Sequence, residues 1–334
     1  MFSGMNRKLT TTAAARGDWF DREDAIAAGY SDNEIRTRLR AGRWVRLYRA
    51  SYAELPGDHE SWTEWKRAGW LHVRTAKAVY HRLGGRAVLS HQSAVVLHGI
   101  EVSDLDLTRV HLTRLSGLGR SSGSVCQHAP RPPVLGSVEV DGVQLTAGPR
   151  AVVEAIRQAS YPIAVSVVDE ALRKGVATAP HLAAALELFG YRTGIGTAIR
   201  AVQFADGRSE SVGESRLRVL MADLGLPTPV LQAEIRDGDG HLVGRVDFLL
   251  AEWNVIVEFD GALKYAGKSA RPLVEEKRRE DRLRDLGYEV VRATWPDLTR
   301  PADFTRRIQS AIRRAAARRS PVAGSMTTGG FVGR

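Results

Sequence analysis

The sequence predicts a multidomain chain of mixed α+β and α/β architecture, and three observations carry that expectation. Two apolar runs, Val246–Leu250 and Val255–Phe259, have the length and the β-branched or aromatic content of buried strands. Near the other end, short capped helix patterns lead into an alternating strand pair over Trp44–Tyr52. A chain of 334 residues also exceeds what one ordinary core encloses, so two or three domains are expected.

Charge and composition narrow the function classes. Lys and Arg number 48 against 38 Asp and Glu, a net charge of +10, with 43% hydrophobic residues. That balance points to a polyanionic partner, nucleic acid before membrane. The plainer alternative is a basic surface with no such partner. The single cysteine, Cys126, excludes an internal disulfide and a cysteine zinc site and fits a reducing cytoplasm. Met1–Ala15 has no apolar core behind its basic residues, so no signal peptide is expected. No apolar run is long enough to span a bilayer, and no repeat has a solenoid period.

Taken in order, Met1–Thr12 is polar and reads as loose, and the first domain is placed at 13–58. Arg22–Ala28 has a helical pattern stopped by Gly29. Ser31 and Glu34 have the spacing of a capping box before a second helix, Asp32–Ala41, that ends at Gly42. Trp44–Tyr52 alternates as a strand pair with a basic edge. Helix, tight turn, basic helix and wing is the order of a winged helix-turn-helix. In that fold Asn33, Arg36, Thr37 and Arg40 face the major groove, while Arg43 and Arg46 reach phosphates. A small helical cap with solvated arginines is the alternative. The run Gly42-Arg43-Trp44-Val45-Arg46-Leu47-Tyr48 resembles the N-terminal winged helix of the AbiEi-like antitoxins of type IV toxin–antitoxin (abortive-infection) systems. The resemblance implies DNA binding and a toxin partner.

Glu60–Leu83, within a linking segment at 59–84, is amphipathic. Its Trp62, Trp65, Trp70 and Val73 lie near helical spacing and are expected to be core. The middle domain, 85–204, mixes a helix over Ser90–Gly99, strands over Leu107–Thr113 and Ser137–Leu145, a loop or hairpin tip over Ser116–Gly136, and helices over Arg150–Ala159, Ile163–Lys174 and Thr178–Leu188. His91 and His98 lack a third ligand at sensible spacing, so no metal site is expected there. The stretch Thr146–Glu154 resembles the Thr-x-x-Arg-x-x-x-Asp pattern of the same antitoxin family, with Glu154 in place of Asp. The domain reads as a scaffold.

The last domain is placed at 208–318, before a tail at 319–334 that reads as disordered. Its elements are a helix over Glu214–Leu224, strands over Val230–Arg236, Leu242–Leu250 and Asn254–Asp260, a charged helix over Pro272–Leu286, a strand over Tyr288–Thr294 and a closing basic helix over Phe304–Arg318. Asp237–Gly240 reads as a hairpin turn. Charge is costly in apolar strands, yet Asp247 lies inside one and Glu258 and Asp260 at the end of the next. Alternation puts Glu258 and Asp260 on one face. If Asp247 joins them, three carboxylates meet at one sheet edge and need a cation or raised pKa values. A hard divalent ion, Mg²⁺ or Mn²⁺, is the economical partner.

This arrangement resembles the restriction-endonuclease-like superfamily, whose signature is Asp, a spacer and Glu-x-Lys. Within it, the nearest likeness is to an uncharacterised domain family related to very-short-patch repair endonucleases, in which Glu-x-Asp-Gly is usual. Glu214–Arg218, Pro227, Pro229, Gln232, Gly244–Asp247, Glu258–Gly261 and Asp281–Gly287 carry the resemblance. It implies an αβββαβ core in which Asp247 and Glu258 hold the metal with Glu214 as a further carboxylate, and Gln232 orients a water or a ligand. Asp260 stands where the superfamily has its Lys, so Lys277, Arg278 or Arg282 are the candidate replacements. Many relatives carry a His after the Asp-Gly; here Lys264 and Tyr265 follow, neither a good proton shuttle at neutral pH.

Two functions follow from these residues. One is a Mg²⁺-dependent DNA endonuclease targeted by the winged helix. The other is a DNA-binding, antitoxin-like regulator that keeps a nuclease fold without its activity.

Overall fold

The computed structural model describes residues 4–101, 104–130, 132–133, 136–261 and 270–319. The chain forms two compact units, 1–212 and 213–334, each with its own sheets. Among the described residues no helix is long and apolar enough to cross a membrane. The whole is a mixed α/β multidomain protein.

The first unit starts with helix α1 (Arg7–Ala15), where the sequence suggested a loose segment and a domain beginning at residue 13. The Asn6 side chain caps it by accepting from the Leu9 amide, and its Leu9 and Ala13 are buried. Those two apolar residues, four apart on one face, are what a mostly polar helix needs to dock. Strand β1 (Phe20–Asp21), helices α2 (Arg22–Ala27) and α3 (Asp32–Arg40), and strands β2 (Trp44–Tyr48) and β3 (Ser51–Glu54) follow. Both helices start with reciprocal capping boxes, Asp21 with Asp24 and Ser31 with Glu34. The strands form an antiparallel sheet in the order β1-β3-β2. Phe20, Tyr30, Ile35, Trp44 and Tyr52 close over α1, with Phe20 and Trp44 meeting edge to face at 4.7 Å.

Helix α4 (Glu64–Arg82) corrects the expected aromatic stripe. Trp62 precedes the helix, Trp65 is exposed, and Trp62 and Trp70 lean on each other at 5.8 Å, with Arg74 over the Trp70 ring. The face that α4 buries is His72, Ala76, Lys77, Ala78 and Val79. Small side chains let the helix sit close, whereas indoles, each with an N–H to satisfy, are easier to leave half-solvated.

The rest of this unit comprises β4 (Ala87–Leu89), α5 (His91–Leu97), β5 (Val110–Arg114), β6 (Arg120–Ser122), β7 (Val125–His128), β8 (Val138–Val140), β9 (Val143–Leu145) and helices α6 (Gly148–Ile156), α7 (Tyr161–Arg173), α8 (Ala179–Glu187) and α9 (Ile195–Phe204). The strands make one six-stranded mixed sheet, β6-β7-β5-β4-β9-β8. Pairs β4/β9 and β5/β7 are parallel. The segment Ser116–Gly136, expected as a loop or hairpin tip, contains a hairpin, β6–β7, and the expected strand over Ser137–Leu145 is a hairpin turning at Asp141-Gly142, both at positive φ. Helix α6 is buried on every side, at the centre of this part of the unit.

The second unit runs α10 (Val212–Asp223), β10 (Val230–Arg236), β11 (Leu242–Leu250), β12 (Val255–Phe259), α11 (Ala270–Asp285), β13 (Glu289–Ala293), α12 (Trp295–Thr299) and α13 (Ala302–Arg319). Its sheet has the order β10-β11-β12-β13, antiparallel except for the parallel β12/β13 pair. One face, with Phe248, Val257, Phe259 and Val291, packs with Leu217, Met221, Phe304 and Ile308 from helices. The other carries Ile256 and Val246 against Leu283 of α11. Gly213, in the first turn of α10, lies so close to the Phe259 ring that a Cβ there would fall inside it.

Candidate functional site

Helix α3 presents a single polar stripe. Ile35 points into the core at 3% exposure, and Asn33, Arg36 and Arg40 lie exposed on other positions of the helix. Thr37 is half-buried and donates its hydroxyl to the Asn33 carbonyl at 2.8 Å. Residues 33, 36, 37 and 40 recur at the helical period, so they share one face. Two acidic residues in the first turn could repel a polyanion, but both have partners. Arg22 grips Asp32 in a two-pronged pair at 2.6 and 2.7 Å, and Glu34 accepts from the Ser31 amide and hydroxyl at 2.8 Å. The same contacts hold both carboxyl pKa values below the usual range, first through the Arg22 side chain for Asp32 and the Ser31 amide for Glu34. Arg38 stacks over Tyr30 and Trp44 instead of joining the stripe. Arg46 is exposed on β2, and Arg43, just before it, is half-buried.

In the second unit the register places Asp247 opposite Glu258, one pair beyond the Phe248/Val257 partners, and Glu258 beside Arg292. Glu258 and Arg292 share the face that carries α11, and Asp247 lies close enough for its charge to act on Glu258. Asp247 Oδ2 accepts from the Phe259 amide at 2.8 Å, bridging the two strands where their ladder ends. Glu258 is bound at 2.8 Å by Arg279 of α11, whose guanidinium also reaches the Arg245 carbonyl and Glu276. Arg292 stands 3.8 Å from Glu258 and ties Glu276 and Glu280 at 2.8 and 2.9 Å. Burial pushes the Glu258 carboxyl pKa up; Arg279 opposes that, while Asp247 and Glu276 add to it. Asp260 donates its amide to Ala293 and lines an open cleft with Glu276, Lys277, Glu280 and Arg292. Glu214 is 8% exposed and accepts from the Gln232 amide group at 2.9 Å, Gln232 itself being held at φ +52.

The cation that meets Glu258 is thus Arg279, not Lys277, Arg278 or Arg282. Helical phase decides this: Glu276, Arg279 and Leu283 face the sheet, while Lys277, Arg278 and Arg282 are exposed. Lys264 and Tyr265 lie outside the described residues, as does the tail from Ser320. Mg²⁺ takes near-octahedral oxygen ligands at about 2.0–2.1 Å. With Glu258 bound by Arg279 and Asp247 holding a backbone amide, the carboxylates as arranged fit a guanidinium rather than Mg²⁺ or Mn²⁺.

Residues 7–53, from α1 to β3, match the family described as "Transcriptional regulator, AbiEi antitoxin". Two proteins of Mycobacterium tuberculosis, "Uncharacterized protein MT2308" of strain CDC 1551 / Oshkosh and "Uncharacterized protein Rv2248" of strain ATCC 25618 / H37Rv, are each 30% identical to the chain over 234 residues. The match covers 70% of this chain and 84% of each relative. The chain belongs to their family. Its N-terminal segment is similar to the AbiEi antitoxin family, and α1 lies within the matched residues.

This family member also carries a cluster that sequence reading missed. His98, paired in that reading with His91, donates from Nε2 to the Thr146 carbonyl. His91 instead meets His111 of β5 and His128 of β7. The His91 and His128 rings stack at 3.8 Å, and His111 Nδ1 lies 3.0 Å from His128 Nε2. Glu154, 2% exposed, accepts from the His91 amide at 3.2 Å and from Arg150 at 2.8 Å. The three histidines are 20 and 17 positions apart in the chain, so no local spacing signals them; only the β5/β7 register, with Thr113 opposite His128, brings the latter two together.

Burial, reinforced by the neighbouring imidazoles, drives the His91 pKa well below its ordinary value, and burial first brings His111 and His128 to about 4. An unfolded histidine takes a proton near 6.5, so between about 6.5 and 4 the unfolded chain binds more protons and stability falls with pH. Burial raises the Glu154 pKa, which acts in the opposite sense, but through one group against three. Urea unfolding is expected to require less denaturant at about pH 5 than at about pH 7, with His111 alone contributing on the order of 2 kcal/mol. A midpoint that does not move between those pH values would contradict neutral, buried rings.

Proposed function

We propose that the protein is a DNA-binding transcriptional regulator of the antitoxin type. Its N-terminal segment acts as a winged helix-turn-helix, in which α2 and α3 are the helix pair and β2–β3 the wing. The observation that carries the reading is the exposed stripe Asn33, Arg36, Thr37 and Arg40 on a helix whose first-turn acids are held by partners, Asp32 by the Arg22 guanidinium and Glu34 by its capping contacts with Ser31. Asn suits the paired donor and acceptor of adenine, and Arg suits guanine or phosphate. Arg43 and Arg46 extend the basic surface to the backbone. A toxin encoded beside it is the partner that the antitoxin family suggests. The segments at 13–58, 59–84, 85–204 and 208–318 serve, in this reading, as reader, connector, scaffold and nuclease-like module.

Fluorescence anisotropy tests the proposal with DNA from upstream of the protein's own gene. Binding is expected to weaken linearly in log–log form as salt rises, and to exceed binding to a shuffled sequence. Equal affinity for both sequences, or none for either, would sink it.

A second reading, metal-dependent phosphodiester cleavage by an endonuclease-like αβββαβ core, draws on the adjacency of Asp247 and Glu258 across β11 and β12. It requires Arg279 to give up Glu258. Incubation of plasmid and linear DNA with Mg²⁺ or Mn²⁺ decides it: cleavage abolished by Asp247→Ala supports this reading, and no cleavage beyond that of the variant removes it.

A further inference from the structure

We propose that His91, His111 and His128 form a three-imidazole site for a divalent transition metal, Zn²⁺ foremost, inside the middle segment of the chain. Each ring offers one nitrogen, and these lie within 4.8 Å of one another. Two nitrogens that share a tetrahedral ion, each about 2.0–2.1 Å from it, sit roughly 3.3 Å apart. His111 Nδ1 and His128 Nε2, at 3.0 Å, need only open slightly for an ion to replace the N–H···N contact between them. His91 has to tilt from its stack on His128 to complete the set.

The surroundings suit such a site. Imidazole nitrogen is the donor that Zn²⁺, Ni²⁺ and Cu²⁺ share, whereas Mg²⁺ and Ca²⁺ prefer oxygen. Metal-bound histidines commonly hold their second nitrogen against an oxygen that fixes ring and tautomer. His91 Nδ1 lies 2.9 Å from Ser90 Oγ and 3.6 Å from Glu154 Oε2, which leaves Nε2 for the ion. The His111 amide is anchored at 2.8 Å on Ser93 Oγ, which also meets His72 Nε2 at 2.8 Å. Of the positive charges that face the cluster, Arg150 is paired with Glu154, while Arg157 beside His91 and Arg109 beside His111 and His128 are the charges a bound ion has to overcome. The backbone adds an independent sign. His91 sits at φ +52, a conformation that costs a non-glycine residue on the order of 1 kcal/mol or more, and Glu154 holds its amide there. His91 and His111 are buried and His128 is half-buried, so three protein ligands leave a fourth position that a water can fill from the His128 side.

The full chain, stripped with chelator and dialysed against micromolar Zn²⁺ or Co²⁺, tests the site. One ion per chain is expected by elemental analysis, with visible d–d bands for Co²⁺ and a raised melting temperature on metal addition. His128→Ala, at the half-exposed ligand, is expected to weaken Zn²⁺ binding by at least about 100-fold, beyond the loss typical of a supporting residue. His241→Ala, in the exposed Asp237/Asp239/His241 turn, is expected to leave it unchanged. A wild-type chain that retains no ion overturns the proposal even if the variant misfolds. So does an ion that survives His128→Ala and is lost in His241→Ala.

Discussion

Replacing Arg36 and Arg40 together by alanine is expected to lower affinity for upstream DNA by two to three orders of magnitude, about 3–4 kcal/mol. Each side chain is exposed on the α3 stripe, so each is available to pair with a base or a phosphate. A two-pronged arginine–guanine pair contributes about 1–3 kcal/mol of discrimination, and a phosphate contact removes about 0.9 from the salt slope. The two outcomes separate the roles. Relaxed sequence preference with an unchanged slope assigns an arginine to a base; uniform weakening with a shallower slope assigns it to the backbone. Stability should move by less than about 0.5 kcal/mol, because neither residue fills the core. Anisotropy titrations at several salt concentrations, with a thermal melt alongside, make the measurement. Full affinity in the double variant would remove α3 as the reading helix.

Glu154→Ala is expected to destabilise the first unit by about 3–5 kcal/mol, a large share of a typical domain's total. The carboxylate is 2% exposed and accepts from Arg150 at 2.8 Å, the His91 amide at 3.2 Å and the Thr146 hydroxyl at 3.4 Å. Arg150 spends its other nitrogens on the carbonyls of Pro132 and Pro133 at 2.9 and 2.6 Å, so its charge stays buried when Glu154 is lost. Glu154→Gln keeps the shape and a hydrogen-bond acceptor and is expected to cost less, with the guanidinium's charge unbalanced. Denaturant titration at neutral pH checks both. A loss under about 1 kcal/mol in the alanine variant would mean that the pair is not closed in solution.

What could be read from the chain depended on whether the signal was local. The Val246–Leu250 and Val255–Phe259 runs announced β11 and β12 because a doubly covered strand has to be apolar, and Ser31 with Glu34 announced α3 because a capping box sits within four residues. Asp247 and Glu258 stood out as candidates for the same reason, since a charge in an apolar run is conspicuous, but which face Asp247 takes depended on strand pairing. Signals that need tertiary structure were silent. Arg279 is one arginine among several on α11, and only the phase set by Leu283 turns it to Glu258. Helix α1 carries two buried residues in a polar segment, too few for a periodicity. The tryptophans of residues 62–70 had helical spacing, yet the buried side of α4 starts beyond them. The histidine trio depends on a parallel pairing between strands that hydrophobic pattern does not encode.

The meeting of Gly213 with the Phe259 ring ties two distant positions together. Glu214 follows that glycine and Glu258 precedes that phenylalanine, so the ring is a spacer whose thickness sets how far the acid on the helix stands from the acid on the strand. A methyl group at 213 and a slimmer side chain at 259 would have to arrive as a pair. Either change alone would wedge the helix off the sheet or let it sink, and would misalign the Glu214–Gln232 contact without touching a charged residue.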